Sequence, residues 1–148
     1  MRHRNHSRRL SQKPHHARML LRNLVTSLIL YERIRTTKKR ASVVRPIAER
    51  VISMGKTLRK DLAIRRMNEI VTHPNASKKI IEVFAPRFKN RSSGFLSIKP
   101  VGMRGGDGAS LVDIVLVGTE FAEPPVEGTG KNIAMPTSSS AQDVSTPS

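Results

Sequence analysis

Apolar residues recur with helical spacing in the first half of the chain. Between residues 20 and 29 they repeat at i, i+1 and i+4, which places them on one face of a helix that we expect to begin near Ala17. Three further stripes follow, over residues 43–52, 58–71 and 80–84. The pattern therefore predicts four helices around one aliphatic centre.

Proline and polar residues set the expected ends of these helices. Pro46 lies inside the second stripe, and proline costs about 3 kcal/mol or more in a helix interior. We therefore expect the second helix to begin near Ser42 or to kink. Asn75 is the expected N-cap of the fourth helix, which should end around Ala85-Pro86 because the residue before a proline disfavours helix.

Three other segments have the pattern of extended chain. Residues 32–37 predict a short link or edge strand on which Arg33 and Arg35 share one side. Residues 95–101 and 111–117 flank a glycine-rich loop and predict a β-hairpin. The last run is apolar on both faces apart from Asp113, which favours a buried strand. Together the patterns predict an α+β fold, with about four helices packed on a small sheet.

The distribution of charge is strongly uneven. Seventeen of the 27 Lys and Arg residues lie in the first sixty positions, against only Glu32 and Glu49. Such a surplus repels itself in a compact state, and phosphates relieve the repulsion by replacing the missing acids. We therefore expect a polyanionic partner and salt-sensitive binding. The alternative is a solvated face kept soluble by charge, but soluble surfaces usually mix both signs.

The two ends of the chain differ in composition from its centre. Residues 1–16 hold five Lys or Arg and four His, and predict a basic RNA-binding arm that orders on its partner. Residues 119–148 are rich in Ser, Thr and Pro, with four acids against one lysine, and predict a disordered acidic tail. The tail could weakly mask the arm, although an unselected solvated extension is favoured. Residues 17–118 are then expected to form a single α+β domain.

The sequence lacks the residue patterns of an enzyme or a metal site. The acids are scattered without close partners, and no serine lies in a nucleophile elbow. The loop Gly105–Gly108 lacks the spacing of a phosphate-binding loop and joins two predicted strands. The chain has no Cys, so His15 and His16 have no thiolate to complete a metal shell. We expect no catalytic residue, metal, cofactor or small-molecule substrate.

Several short motifs, in order along the chain, resemble the bacterial large-subunit ribosomal protein L17 family. They are Met1–Arg4, Arg22–Leu28, Glu32–Thr37, Ala85–Arg91 and Arg104–Ala109. The resemblance implies a structural constituent of the large ribosomal subunit that supports translation. It further implies binding to large-subunit rRNA and to neighbouring ribosomal proteins near the exit of the peptide tunnel, as a monomer within the ribosome.

The expected RNA contacts follow from the charge pattern and from this resemblance together. They are Arg2, His3, Arg4, Arg8, Arg9, Lys13, His15, His16, Arg18, Arg22, Arg33, Arg35, Thr36, Thr37, Lys38, Lys39, Arg40, Arg87, Lys89, Arg91, Lys99 and Arg104. Phe88 and Phe95 could stack on bases, but at least one of them is expected in the core.

The chain departs from the family's pattern in three places. Ser93–Ser97 stands where the family usually has Gly-Gly-Tyr-Thr-Arg, which removes a hydroxyl and a cation. Pro46 stands where the family has ordinary helix formers. Ile114–Val117 lacks the family's glutamate in its last strand.

Two other classes of function share the basic charge. A free-standing nucleic-acid regulator would more often show a dimerising heptad or a helix-turn-helix, and neither pattern is present. An amphipathic membrane binder could use the helix over residues 20–29. No apolar run reaches the length of a membrane span, and the basic start lacks a signal sequence. We therefore expect a ribosomal protein in the cytoplasm, with an organellar ribosome as the alternative.

Overall fold

The computed structural model describes residues 10–118. Its elements, in chain order, are α1 (Pro14–Tyr31), β1 (Arg33–Thr37), α2 (Lys38–Thr57), α3 (Lys60–Asn68), α4 (Pro74–Lys79), a π-helical turn (Ile80–Phe84), α5 (Ala85–Arg87), β2 (Leu96–Met103) and β3 (Ser110–Leu116). The predicted α+β fold is confirmed. Most of the predicted arm, including Arg2, His3, Arg4, Arg8 and Arg9, lies outside the described residues, as does the predicted tail. The predicted domain limits stay predictions.

Helix α1 begins at Pro14, three residues before Ala17. Proline suits this first helical position because its missing N–H would have no partner there. The helix buries Val25, Leu28 and Ile29, as the spacing predicts. Its last residue is Tyr31, and the C-cap Glu32 has a left-handed backbone (φ 61°) and donates its N–H to the Leu28 carbonyl. His15 and His16 therefore belong to the first turn of α1.

Helix α2 begins directly after β1, at Lys38, and carries Pro46 in its interior. The predicted start near Ser42 is therefore wrong, while a kink at Pro46 stays a prediction. The buried side of the helix explains the difference, since Val44, Val51 and Ile52 are each at most 1% exposed. Full burial stabilises such a side chain by roughly 1.5–3 kcal/mol, and the three together outweigh the cost of about 3 kcal/mol for the proline.

The third apolar stripe is buried only in part. Ala63, Met67 and Val71 are buried, but Leu58 and Leu62 are 39% and 49% exposed. The prediction that these two leucines face the core is wrong. Helix α3 begins only at Lys60, so Leu58 precedes it, and Leu62 lies on its solvent side beside exposed Asp61.

The helical segment after α3 starts and ends differently from the prediction. Its N-cap is His73, whose Nδ1 accepts a hydrogen bond from the backbone N–H of Asn75 at 3.2 Å. Because Pro74 occupies the first helical position, the cap falls before it rather than on Asn75. Helical structure also continues to Arg87, past the predicted end at Ala85-Pro86. Pro86 follows the π-helical turn within a continuous helical run from Pro74 to Arg87.

The three strands form an antiparallel sheet in the order β1-β3-β2. The predicted edge strand, hairpin and buried last strand are all confirmed, since β1 lies at an edge and β3 in the centre. Ile114 and Leu116 face the core, where Phe84, Phe88 and Phe95 are also buried. The ring centroids of Phe88 and Phe95 are 5.0 Å apart. The expected core role holds for both Phe88 and Phe95, so we do not propose that either stacks on bases.

Candidate nucleic-acid interface

One face of the sheet is cationic and the other is apolar. Side chains alternate along a strand, and residues paired across strands share a face. The register pairs Asp113 with Arg35 on one side and with Lys99 on the other. Arg33 lies two residues before Arg35 and points the same way. We call these four residues the basic sheet face; the opposite face carries Ile114.

Two arginines of the basic sheet face share the single carboxylate of Asp113. Arg33 Nε donates to Oδ2 at 3.2 Å, and Arg35 Nε donates to Oδ1 at 2.9 Å. The Nη2 group of each arginine also donates to Oδ2. The predicted placement of both arginines on one side is confirmed. The Asp113 side chain is only 5% exposed, whereas those of Arg33 and Arg35 are 27% and 50% exposed.

The electrostatics of this cluster favour an ionised carboxylate at neutral pH. Burial raises the pKa of Asp113, but the hydrogen bonds and charges of Arg35 and Arg33 lower that pKa by more, so it lies below its ordinary value. The cluster therefore keeps one negative charge among three positive side chains, and the basic sheet face retains a positive surplus.

Sequence reasoning missed the role of Asp113. It identified this residue as the only polar one in a buried strand but assigned it no partner. The signal was present, because Arg33 and Arg35 sit at i and i+2 of a predicted strand and lack nearby acids on their own side.

A second shared carboxylate lies at the junction of α1 and β1. Glu32 Oε1 is 2.7 Å from Lys79 Nζ, and its Oε2 is 2.7 Å from Arg87 Nη1. Burial raises the pKa of Glu32, but hydrogen bonds from Lys79 and Arg87 lower that pKa by more. Arg87, a predicted RNA contact, is thus turned toward the protein and joins α5 to the end of α1.

Several other predicted contacts also donate to the protein itself. Arg22 reaches the carbonyls of Asn68 and Ile70 at the end of α3. Arg91 Nη1 donates to the Gly94 carbonyl at 2.9 Å, and Arg104 Nε donates to Asp107 Oδ1 at 2.9 Å within the hairpin loop. These guanidinium groups have structural partners and are only partly available to a ligand.

The side chains of a further set of predicted contacts have no hydrogen-bond or ion-pair partner within residues 10–118. It comprises Lys13, His15, His16, Arg18, Lys38, Arg40 and Lys89. Lys39 connects the segment before α1 to the start of α2. Its Nζ donates a hydrogen bond to Ser11 Oγ at 3.1 Å. Thr37 is the N-cap residue of α2.

The side chain of Thr36 is not exposed, as an RNA contact would require. It pairs with Val112, which places its side chain on the apolar face of the sheet, and it is only 7% exposed. We therefore do not propose Thr36 as an RNA contact.

Sequence reasoning also passed over a group of exposed cations around α3. Arg59, Lys60, Arg65 and Arg66 are all exposed. The prediction for this segment used the spacing of its apolar residues, and none of the family motifs lies there. The local density of Lys and Arg was the available signal.

Metal binding and membrane insertion find no support within residues 10–118. No group of three or more His, Asp or Glu in this range could hold a metal ion. None of the helices described is both long enough and apolar enough to span a membrane. The cationic surfaces described above are typical of a small protein that binds a polyanion.

Comparison with known proteins identifies the group to which this chain belongs. A family model described as ribosomal protein L17 matches residues 20–117. The large ribosomal subunit protein bL17 of Desulforudis audaxviator is 46% identical over 111 residues, which are 74% of this chain and 97% of that protein. The bL17 protein of Pelobacter propionicus is 39% identical over 122 residues, or 82% of this chain and 94% of that protein.

The chain belongs to the ribosomal protein L17 family. It is therefore a structural component of the large ribosomal subunit and not an enzyme, as the sequence predicts. The bacterial relatives indicate a ribosome of the bacterial cytoplasm and give the organellar alternative no support. The resemblance identified from the motifs is confirmed.

Proposed function

We propose that this protein binds large-subunit rRNA through two cationic surfaces and lies near the exit of the peptide tunnel. The first surface is the basic sheet face. The second is the paired start of α1 and α2, which presents Lys13, Arg18, Lys38 and Arg40. The position near the tunnel exit and the contacts with neighbouring ribosomal proteins rest on the family resemblance alone.

The basic sheet face is the observation that carries the proposal. A solvent-facing sheet surface with two arginines, one lysine and one buried carboxylate has a positive surplus at any pH near neutrality. The planar guanidinium fork matches the oxygens of a phosphate, and arginine keeps its charge throughout this range. Such a surface attracts the RNA backbone.

Recognition on this account depends on the shape of the RNA rather than on its sequence. Both aromatic residues that could have stacked on bases are buried. The available groups are cations, which contact phosphates and read the geometry of the backbone. The residues of the predicted arm, Arg2, His3, Arg4, Arg8 and Arg9, would add further phosphate contacts by the same chemistry.

Salt dependence of RNA binding tests the proposal. The purified full chain would be titrated with large-subunit rRNA at several salt concentrations. The logarithm of the affinity should fall linearly with the logarithm of the salt concentration. The double variant Lys38→Ala with Arg40→Ala should bind more weakly and show a shallower slope, since each lost phosphate contact reduces the slope by about 1.

A matched control is available on the same helix. Arg50 is exposed, and its side chain has no hydrogen-bond or ion-pair partner within residues 10–118. It lies outside both proposed surfaces. Arg50→Ala should change the affinity much less than the double variant. Binding that is insensitive to salt, or a double variant that binds like the wild type, would contradict the proposal.

A further inference from the structure

The Asp113 cluster holds two arginines in fixed positions on an otherwise open surface. Asp113 lies on the central strand, bonded to neighbours on both sides, and its side chain is nearly buried. Arg33 and Arg35 lie on the edge strand and are partly open to solvent. Each arginine uses Nε and Nη2 on the carboxylate, which leaves both Nη1 groups without a hydrogen-bond partner in the described structure.

We infer that Asp113 is a positioning residue for RNA binding: it orders Arg33 and Arg35 so that their free Nη1 groups contact neighbouring phosphates of one RNA strand. The inference rests on the proposed rRNA binding and names the ligand group of that surface. The Nη2 groups of both arginines donate to the same oxygen, Asp113 Oδ2, so the two guanidinium groups lie side by side and can contact phosphates of the same strand.

Ordering matters because free arginine side chains lose conformational freedom when they bind. Arginine has one of the largest side-chain entropies, and immobilising such a side chain weakens binding. In this cluster the loss has already occurred during folding. The guanidinium groups can then meet phosphates without further ordering, and their combined charge still exceeds that of the one carboxylate.

Charge alone makes the opposite prediction for the loss of Asp113. Removing an acid from a cationic surface raises its positive charge and should strengthen the attraction to phosphates. Positioning predicts weaker binding instead. The sign of the change therefore separates a positioning role from a merely electrostatic one.

The test compares RNA binding by Asp113→Asn and by Glu49→Gln, using the full chain and large-subunit rRNA. Glu49 is ion-paired with Arg45 on the exposed side of α2, at 3.2 Å, so its loss also removes one negative charge and frees one arginine. We expect Asp113→Asn to bind RNA several-fold more weakly, and Glu49→Gln to bind equally or slightly more tightly. Asp113→Glu, which keeps the charge, should recover part of the loss.

A second variant covers the case in which Asp113→Asn does not fold. Replacing Arg33 and Arg35 together by Lys keeps both charges but removes the planar fork that the carboxylate orders. Circular dichroism would establish that each variant is folded before binding is measured. This variant should also bind RNA several-fold more weakly than the wild type.

The outcomes distinguish this inference from the proposed function. Tighter binding by a folded Asp113→Asn variant would overturn the positioning role while leaving RNA binding intact. If Asp113→Asn does not fold, the variant with both arginines replaced by Lys decides the matter. An affinity for RNA equal to that of the wild type in this variant would overturn the positioning role. A wild-type chain with no salt-dependent affinity for RNA would overturn the proposed function itself, and the positioning role with it.

Discussion

Two buried carboxylates of this protein have nearly the same local chemistry but different surroundings. Glu32 and Asp113 each accept hydrogen bonds from two cationic side chains. The partners of Asp113 lie on the neighbouring strand, and one of them is half exposed. Those of Glu32 come from the helical segment about 50 residues further along the chain and lie against the ring of Phe84.

This difference separates a structural role from a binding role. The Glu32 cluster joins the end of α1 to α4 and α5, which share no sheet with it, so its loss should loosen the fold. The Asp113 cluster lies within the sheet, which is already held by backbone hydrogen bonds, and its arginines can turn toward water. We therefore expect the first cluster to control stability and the second to control affinity for RNA.

The largest expected effect on stability follows from removing the Glu32 charge. Glu32→Gln should lower the free energy of unfolding by about 2–4 kcal/mol, because two partly buried cations lose their shared partner. Urea unfolding at neutral pH measures this. RNA binding by the folded protein should change little. A loss below about 0.5 kcal/mol, the usual range for exposed pairs, would contradict the proposed structural role.

Asp113→Asn should affect stability less. We expect a loss of about 1–2 kcal/mol, because Arg33 and Arg35 can be hydrated when the carboxylate charge is removed. The same urea experiment measures this, with Glu49→Gln as the control. If Asp113→Asn proves more destabilising than Glu32→Gln, the division of roles between the two clusters is wrong.

Acid should weaken both clusters. The pKa values of Glu32 and Asp113 are lower in the folded protein than their ordinary values of 4.5 and 3.8. Each carboxylate therefore contributes stability that is fully present above its unfolded-state pKa and is lost as the pH falls through its folded-state pKa. Unfolding free energies measured downward from neutral pH should fall below about pH 5, and less steeply in Glu32→Gln. Equal slopes would argue against the Glu32 pairing.

The smallest effect is expected at an exposed pair in the hairpin loop. The side-chain hydrogen bond from Arg104 lowers the pKa of Asp107 to about 2. Both side chains are about half exposed, so water already stabilises each charge and the pair should contribute little to folding. Asp107→Asn should leave the melting temperature nearly unchanged. A clear drop in the melting temperature would show that solvent exposure does not determine how much each of the three carboxylates contributes to stability.

The predictions from sequence succeeded where one periodic pattern dominated. The stripe around Val25 and Leu28, the hairpin and the central strand each follow from local spacing. Boundaries failed where tertiary burial competed with a local rule: apolar contacts extend α2 through Pro46, and Pro74 shifts the helix cap to His73. Leu62 shows that helical spacing alone does not reveal which side a short helix buries, and Leu58 lies before the helix to which its spacing assigned it.

The candidate site was predictable in its charge but not in its pairing. The surplus of Lys and Arg and the family motifs pointed to Arg33 and Arg35. The partner of these arginines lies about 80 residues away and becomes visible only through the register of β1 on β3. The same holds for Arg87, which was predicted as an RNA contact and is ion-paired with Glu32, 55 residues away.

The most direct test measures RNA affinity and folding stability together for the wild type, Asp113→Asn and Glu32→Gln. The account predicts that Asp113→Asn loses affinity several-fold with a modest loss of stability, and that Glu32→Gln loses more stability while its folded form keeps its affinity. An Asp113→Asn variant that binds RNA as tightly as the wild type, or a Glu32→Gln variant that loses affinity to the same extent, would contradict it.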